Sequence, residues 1–193
     1  MRLSRILSIA MAFIVLSSAR SFAVTLDELK SDANLTPVKF ASHFRGFKFQ
    51  FRSEVQDAAT FLKKRNGDCD DYAILGAQLL QARGYTPRLI AVRTKRVVHV
   101  VCYVEEEKGF LDYERRGSLD PIEKCDPSLE AVANAVSVSF KSEWTSVSEF
   151  TYAAGWKKLV RTARPPAWQN SAGSVAVKAS DAKSLEGELA SLR

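Results

Sequence analysis

The chain has 193 residues, of which 46% are hydrophobic, and a formal net charge of +6. That length suffices for one domain with a real core and is short for two. No basic stripe interleaved with aromatic residues supports a nucleic-acid partner.

Residues 1–23 read as an export leader. Arg2 and Arg5 make a positive start, Ile6 to Leu16 an apolar run, and Ser21-Phe22-Ala23 a small-residue cleavage site. The apolar run is too short for a stable spanning helix; an uncleaved N-terminal anchor is the alternative. Removing the leader takes Arg2, Arg5 and Arg20 with it and leaves 25 Lys+Arg against 22 Asp+Glu, a net of +3. The expected location is periplasmic or secreted, with no stable membrane insertion after cleavage. Lys63-Lys64-Arg65 and Arg115-Arg116 read as solvated faces or helix-end charges.

A domain is expected over residues 24–166. A short helix from Leu26 to Ala33 opens it, followed by a segment containing Pro37. Phe40, Phe44, Phe47, Phe49 and Phe51 come next, the last three alternating with Lys48 and Gln50 as a short strand or extended segment. Such a cluster reads as core. Ser53 to Arg65 reads as a helix, with Ser53 and Gln56 as a capping box and Val55, Ala58, Ala59 and Leu62 as its apolar stripe.

Asn66 and Gly67 tolerate the left-handed backbone that closes a helix. Asp68 then suits an N-cap, and Asp71 the reciprocal position of a capping box. This makes Cys69 the first residue of a helix running to about Arg83 and stopping at Gly84. Tyr72, Leu75, Leu79 and Ala82 form one apolar row, and Ala73, Gly76, Ala77 and Leu80 another. A helix apolar over so much of its circumference is central, its small-residue side close to a sheet.

Strands follow over Thr86 to Arg93 and Val97 to Val104, with Phe110 to Glu114 returning after a polar turn. Leu129 to Val136 reads as helix, Val136 to Phe140 alternates like a strand, and Glu149 to Arg164 reads as helical in part. Pro165-Pro166 closes the fold. Residues 167–193 lack a large apolar set and are expected to be a disordered tail.

The chemistry centres on Cys69. Backbone N–H groups and the dipole at a helix start stabilise a thiolate. His99 lies in Val97-Val98-His99-Val100-Val101, where alternation puts His99, Val101 and Tyr103 on one face and Cys102 on the other. If the hairpin turns at Glu106-Glu107, Asp112 shares a face with His99, offset diagonally by two residues. A one-residue slip would turn it away. Glu114 and Asp120 are fallback carboxylates.

A thiol, an imidazole and a carboxylate so arranged form a nucleophile, base and orienter. The Cys69 N–H is a donor for a developing oxyanion. The alternative is an inert cysteine and a satisfied core histidine.

Three cysteines is an odd count for an exported chain. One arrangement pairs Cys102 with Cys125 as a disulfide and leaves Cys69 free; the other leaves all three reduced. A zinc site from Cys69, His99, Cys102 and Cys125 is disfavoured because His99 and Cys102 face opposite sides.

Gly67-Asp68-Cys69-Asp70-Asp71-Tyr72-Ala73, followed by a helix, Gly84 and a strand, resembles the nucleophile segment of the transglutaminase-like superfamily. Val98-His99-Val100-Val101 resembles its His strand and Gly109-Phe110-Leu111-Asp112 its Asp strand. The resemblance covers roughly residues 45–116 and is nearest to the bacterial transglutaminase-like cysteine proteinases.

It implies an α+β, papain-like fold in which a central nucleophile helix packs on an antiparallel sheet. It implies Cys69 as nucleophile, His99 as base and Asp112 as orienter, an upstream oxyanion-assisting side chain for which Gln56 and Asn66 are candidates, and a cysteine peptidase or amidase acting on a protein or peptide substrate. Transamidation, or a non-catalytic binding or scaffold module, are the alternatives; a redox protein using Cys102 and Cys125 is a third. No cofactor is required. The resemblance also raises calcium at Asp68, Asp70 and Asp71, whose oxygens suit it. Helix capping accounts for the same residues, and three near-adjacent side chains on one turn do not by themselves enclose an ion.

Overall fold

A computed structural model describes residues 24–166. The expected leader and C-terminal tail lie outside the described residues. In chain order the elements are α1 (Leu26–Ser31), α2 (Pro37–Ser42), β1 (Lys48–Phe49), α3 (Ala58–Lys64), β2 (Asn66–Gly67) and α4 (Cys69–Gln81). There follow β3 (Pro87–Thr94), β4 (Val98–Val104), β5 (Gly109–Leu111), β6 (Ile122–Lys124), α5 (Leu129–Phe140), β7 (Trp144–Ala153) and β8 (Trp156–Ala163).

The main sheet has the order β6-β5-β4-β3-β7-β8, every neighbouring pair antiparallel. Alternation along its strands separates two cores. Leu89, Ala91, Val100, Cys102, Val104 and Leu111 pack with α4 and the N-terminal helices. Ile90, Val92, Val101, Tyr103, Phe110 and Val147 pack with α5 on the other face. Helix, sheet, helix is thus the layering, an α+β fold with α4 packed on an antiparallel sheet.

The aromatic residues fill the space behind α4. Phe40, Phe44, Phe47 and Phe61 are buried; the Phe40 and Phe44 rings lie 5.0 and 5.1 Å from Tyr72, and Phe47 and Phe61 pack against Phe44 at 4.7 and 5.5 Å. Burying each such ring contributes roughly 1.5–3 kcal/mol. Phe49 and Phe51 are 57% and 74% exposed, so the core expectation fails for these two. The reason is that β1 pairs only with β2 and covers little. The small-residue side of α4 meets α2 as well as the sheet: a Cβ on Gly76 would stand 3.0 Å from the Phe40 ring.

Several boundaries differ from expectation. Residues 53–57 are not helical, because Asp57, not Ser53, caps α3 by accepting from the Thr60 N–H. The return strand ends at Leu111, and Asp112 caps a 3₁₀ turn, Tyr113–Arg115. Val136 to Phe140 continues α5, which ends when Lys141 enters the left-handed region at φ 48°. Residues 144–163 are a hairpin rather than a helix. Its turn is Ala154-Gly155, both with positive φ, the geometry that tight hairpins require. Among the described residues no helix is long and apolar enough to cross a membrane.

Candidate active site

Cys69 opens α4, as the capping pattern requires. Asp68 is the N-cap, and the capping box with Asp71 is complete. The Asp68 carboxylate accepts from the Asp70 N–H at 3.1 Å and from the Arg52 N–H at 2.9 Å. Asp71 accepts from the Asp68 N–H at 3.2 Å, the Gln56 N–H at 2.7 Å and Gln56 Nε2 at 2.8 Å. Residues 52–56 are therefore strapped to the first turn of α4 by its own carboxylates. Burial pushes Asp68 up to about 6, with Asp71 and Asp70 adding to the effect and the Arg52 N–H opposing it. Gly67 leaves no room at this junction: a Cβ there would lie 2.4 Å from Asp71 Oδ2 and 2.7 Å from the Phe61 ring.

His99 sits near the start of β4 with 4% of its surface exposed, and Asp112 has 2%. The β4–β5 register pairs Cys102, Tyr103 and Val104 with Leu111, Phe110 and Gly109. This is the register that puts Asp112 on the diagonal from His99, and His99 Nε2 lies 2.8 Å from Asp112 Oδ1. The same carboxylate oxygen accepts from the Glu114 N–H at 2.8 Å, which fixes it from the backbone side. The 3₁₀ turn that carries Asp112 is clamped in turn. Tyr113 donates its hydroxyl to the Lys48 carbonyl at 2.9 Å, and the Arg116 guanidinium lies 3.8 Å from the Tyr113 ring centre. On its other side the imidazole packs against Phe140 of α5, ring centres 4.6 Å apart.

Cys69 is the third member of the set, its side chain near enough to the imidazole to raise the His99 pKa. Because Nε2 is held by Asp112, Nδ1 is the nitrogen left for sulfur. Burial by itself lowers the His99 pKa. The Asp112 hydrogen bond, the neighbouring Cys69 side chain and the Asp112 charge outweigh it and bring His99 up to about 10. Burial pushes Asp112 the other way from His99; the hydrogen bond and charge of His99 win and hold its carboxyl below the ordinary range.

The fallback carboxylates stand elsewhere. Glu114 and Asp120 are exposed at the surface. Glu114 serves through its backbone, and the Asp120 carbonyl accepts from Arg115. Gln56 is not an oxyanion donor, since both its Nε2 bonds go to Asp71 Oδ2 and the Asn66 carbonyl.

Of the two cysteine arrangements, the Cys102–Cys125 disulfide is absent and all three cysteines are free. The physical reason is the sheet itself: Cys102 packs in the α4-side core, whereas Cys125 packs against the α5-side cluster. Burial pushes the Cys102 thiol up to about 12. The same separation removes the zinc arrangement. Asp68, Asp70 and Asp71 likewise turn to separate partners. Among the described residues no group of three or more His, Cys, Asp and Glu side chains is disposed to hold a metal ion.

One contact has no expectation behind it. Lys157, on β8, makes an ion pair with Asp70 beside the thiol. The alternation of 144–163 around Ala154-Gly155 is the signal that reveals the hairpin; nothing local reveals its partner.

No curated protein matches the chain significantly. Two solved structures of Legionella pneumophila LapG are similar to it. The EGTA-treated form is 17% identical with a TM-score of 0.42, covering 86% of this chain and 83% of that one. The calcium-bound form is 18% identical with a TM-score of 0.42, covering 84% and 83%. Residues 24–114 match the family described as "Transglutaminase-like domain". That match supports a transglutaminase-like domain over residues 24–114.

Proposed function

We propose that the chain is a cysteine hydrolase that cleaves amide bonds in peptide or protein substrates through a thioester. The observation that carries this reading is the buried His99–Asp112 pair at 2.8 Å, with Cys69 at the start of α4 near enough to raise the imidazole pKa. In this reading the Cys69 thiolate attacks the substrate carbonyl carbon, and the Cys69 N–H donates to the oxyanion that forms. The His99 imidazolium gives its proton to the leaving nitrogen as the C–N bond breaks. A water then attacks the thioester, His99 taking its proton, and the acid leaves as sulfur departs. Asp112 fixes the ring and stabilises its charge. An amine in place of water gives transamidation by the same first half-reaction.

The expected leader makes this an exported activity. No step needs a cofactor. The test is incubation of the full chain with an unstructured protein such as casein, with products read by mass spectrometry. New termini and an acyl adduct on Cys69 are expected, and both vanish in Cys69→Ser. Cleavage that persists in Cys69→Ser would overturn the reading.

A further inference from the structure

The acidic start of α4 poses an electrostatic problem. Asp68, Asp70 and Asp71 surround a residue that is to carry a thiolate, and like charges oppose that. A divalent cation is one solution. The donor set does not fit it: calcium takes six to eight oxygens, and the oxygens here are committed. Both oxygens of Asp68 and both of Asp71 accept N–H groups of residues 52–71. Those donors point their positive ends at the carboxylates, where a metal would need free lone pairs.

Asp70 is the carboxylate left over, and it holds the Lys157 ammonium. The pair is partly shielded, with side chains 14% and 20% exposed for Lys157 and Asp70, so it is screened less than a surface pair. Lys157 is itself placed. Its Nζ lies 5.5 Å from the Phe150 ring centre, and its strand partner is Tyr152. Tyr152 packs against the α4-side core and Lys157 reaches Asp70, so the hairpin lies over the first turn of α4; burial raises the Tyr152 phenol, and Asp70 and Asp71 raise it further. This hairpin is outside residues 24–114, the span of the family match.

We propose that Lys157 supplies from within the chain the positive charge that the acidic start of α4 requires, in place of a calcium ion. It is a positioning residue: it neutralises Asp70 and holds the first turn, and so favours the Cys69 thiolate. The labelling part of the test rests on the hydrolase reading above; the melting part does not.

The test compares wild type, Lys157→Met, Lys157→Arg and the double variant Asp70→Asn/Lys157→Met, each in CaCl2 and in EGTA. Wild-type Tm and the iodoacetamide labelling rate of Cys69 are expected to be the same in both. Lys157→Met is expected to label roughly threefold to tenfold more slowly. Lys157→Arg restores the rate, and so does removing the Asp70 charge in the double variant, as coupling between two charges requires. A wild-type Tm or labelling rate that rises with CaCl2 overturns the proposal, as does wild-type labelling by Lys157→Met. If wild-type Cys69 labels no faster than a free cysteine, the hydrolase reading fails. The proposal is then decided by Tm: indifference to calcium and rescue by Lys157→Arg support it, and the loss of either overturns it.

Discussion

His99 Nε2 and Asp112 Oδ1 stand 2.8 Å apart between an adjoining strand and 3₁₀ turn, both almost wholly shielded from water. Neither is at home alone in an apolar sheet, and each justifies the other. Asp112→Asn keeps an oxygen for the Glu114 N–H and removes the charge. Turnover and Cys69 labelling are expected to fall about 10²-fold or more, with only a modest fall in Tm. Undiminished turnover would reduce the pair to a core hydrogen bond.

The same pair sets a pH window. A His99 pKa raised from 6.5 to about 10 contributes stability that is full below 6.5 and lost as pH rises through about 10. Asp112, held below its ordinary 3.8, contributes stability above that value that is lost as pH falls through its lowered pKa. The pair's contribution to Tm is therefore expected to be fullest from about pH 4 to 6.5 and to decline towards pH 10, while Asp68, raised to about 6, separately takes stability away as pH rises from about 4 to 6. Asp112→Asn flattens the alkaline decline. An identical Tm–pH profile for both proteins would contradict this assignment.

Gly67→Ala tests the junction beneath the thiol. Its Cβ meets Asp71 Oδ2 and the Phe61 ring at distances that force one to move. A loss of about 1–3 kcal/mol is expected, measured by urea unfolding, together with slower Cys69 labelling. A neutral substitution would mean that β2 and α4 shift apart freely.

The cysteines make a separate prediction. Denatured without reductant, the chain is expected to titrate three free thiols. In the folded protein Cys69 reacts first and Cys102, with no exposed surface, last. A single thiol that becomes three after reduction would restore the disulfide.

What was legible in the sequence was local or periodic. Asp68, Cys69 and Asp71 declare themselves because a capping box spans only four residues. The partnership of His99 with Asp112 follows from a period of two and a short turn, which together fix a register. What was hidden depends on distance in the chain. Gln56 looks like a cap for Ser53, but Asp71, 15 residues on, takes its donors instead. The Lys157–Asp70 pair spans 87 residues and leaves no local trace. The second half of α5 alternates like a strand because Val136, Val138 and Phe140 are spaced by two, yet the helix persists because Val136 is needed in the α5-side core.

The most direct measurement is the rate at which iodoacetamide modifies Cys69 at neutral pH in wild type and in His99→Ala. A thiolate held by an imidazolium should react about tenfold or more faster than an ordinary cysteine, and His99→Ala should lose that advantage. Equal and slow modification of both proteins would contradict a reactive Cys69–His99 pair and with it the hydrolase reading.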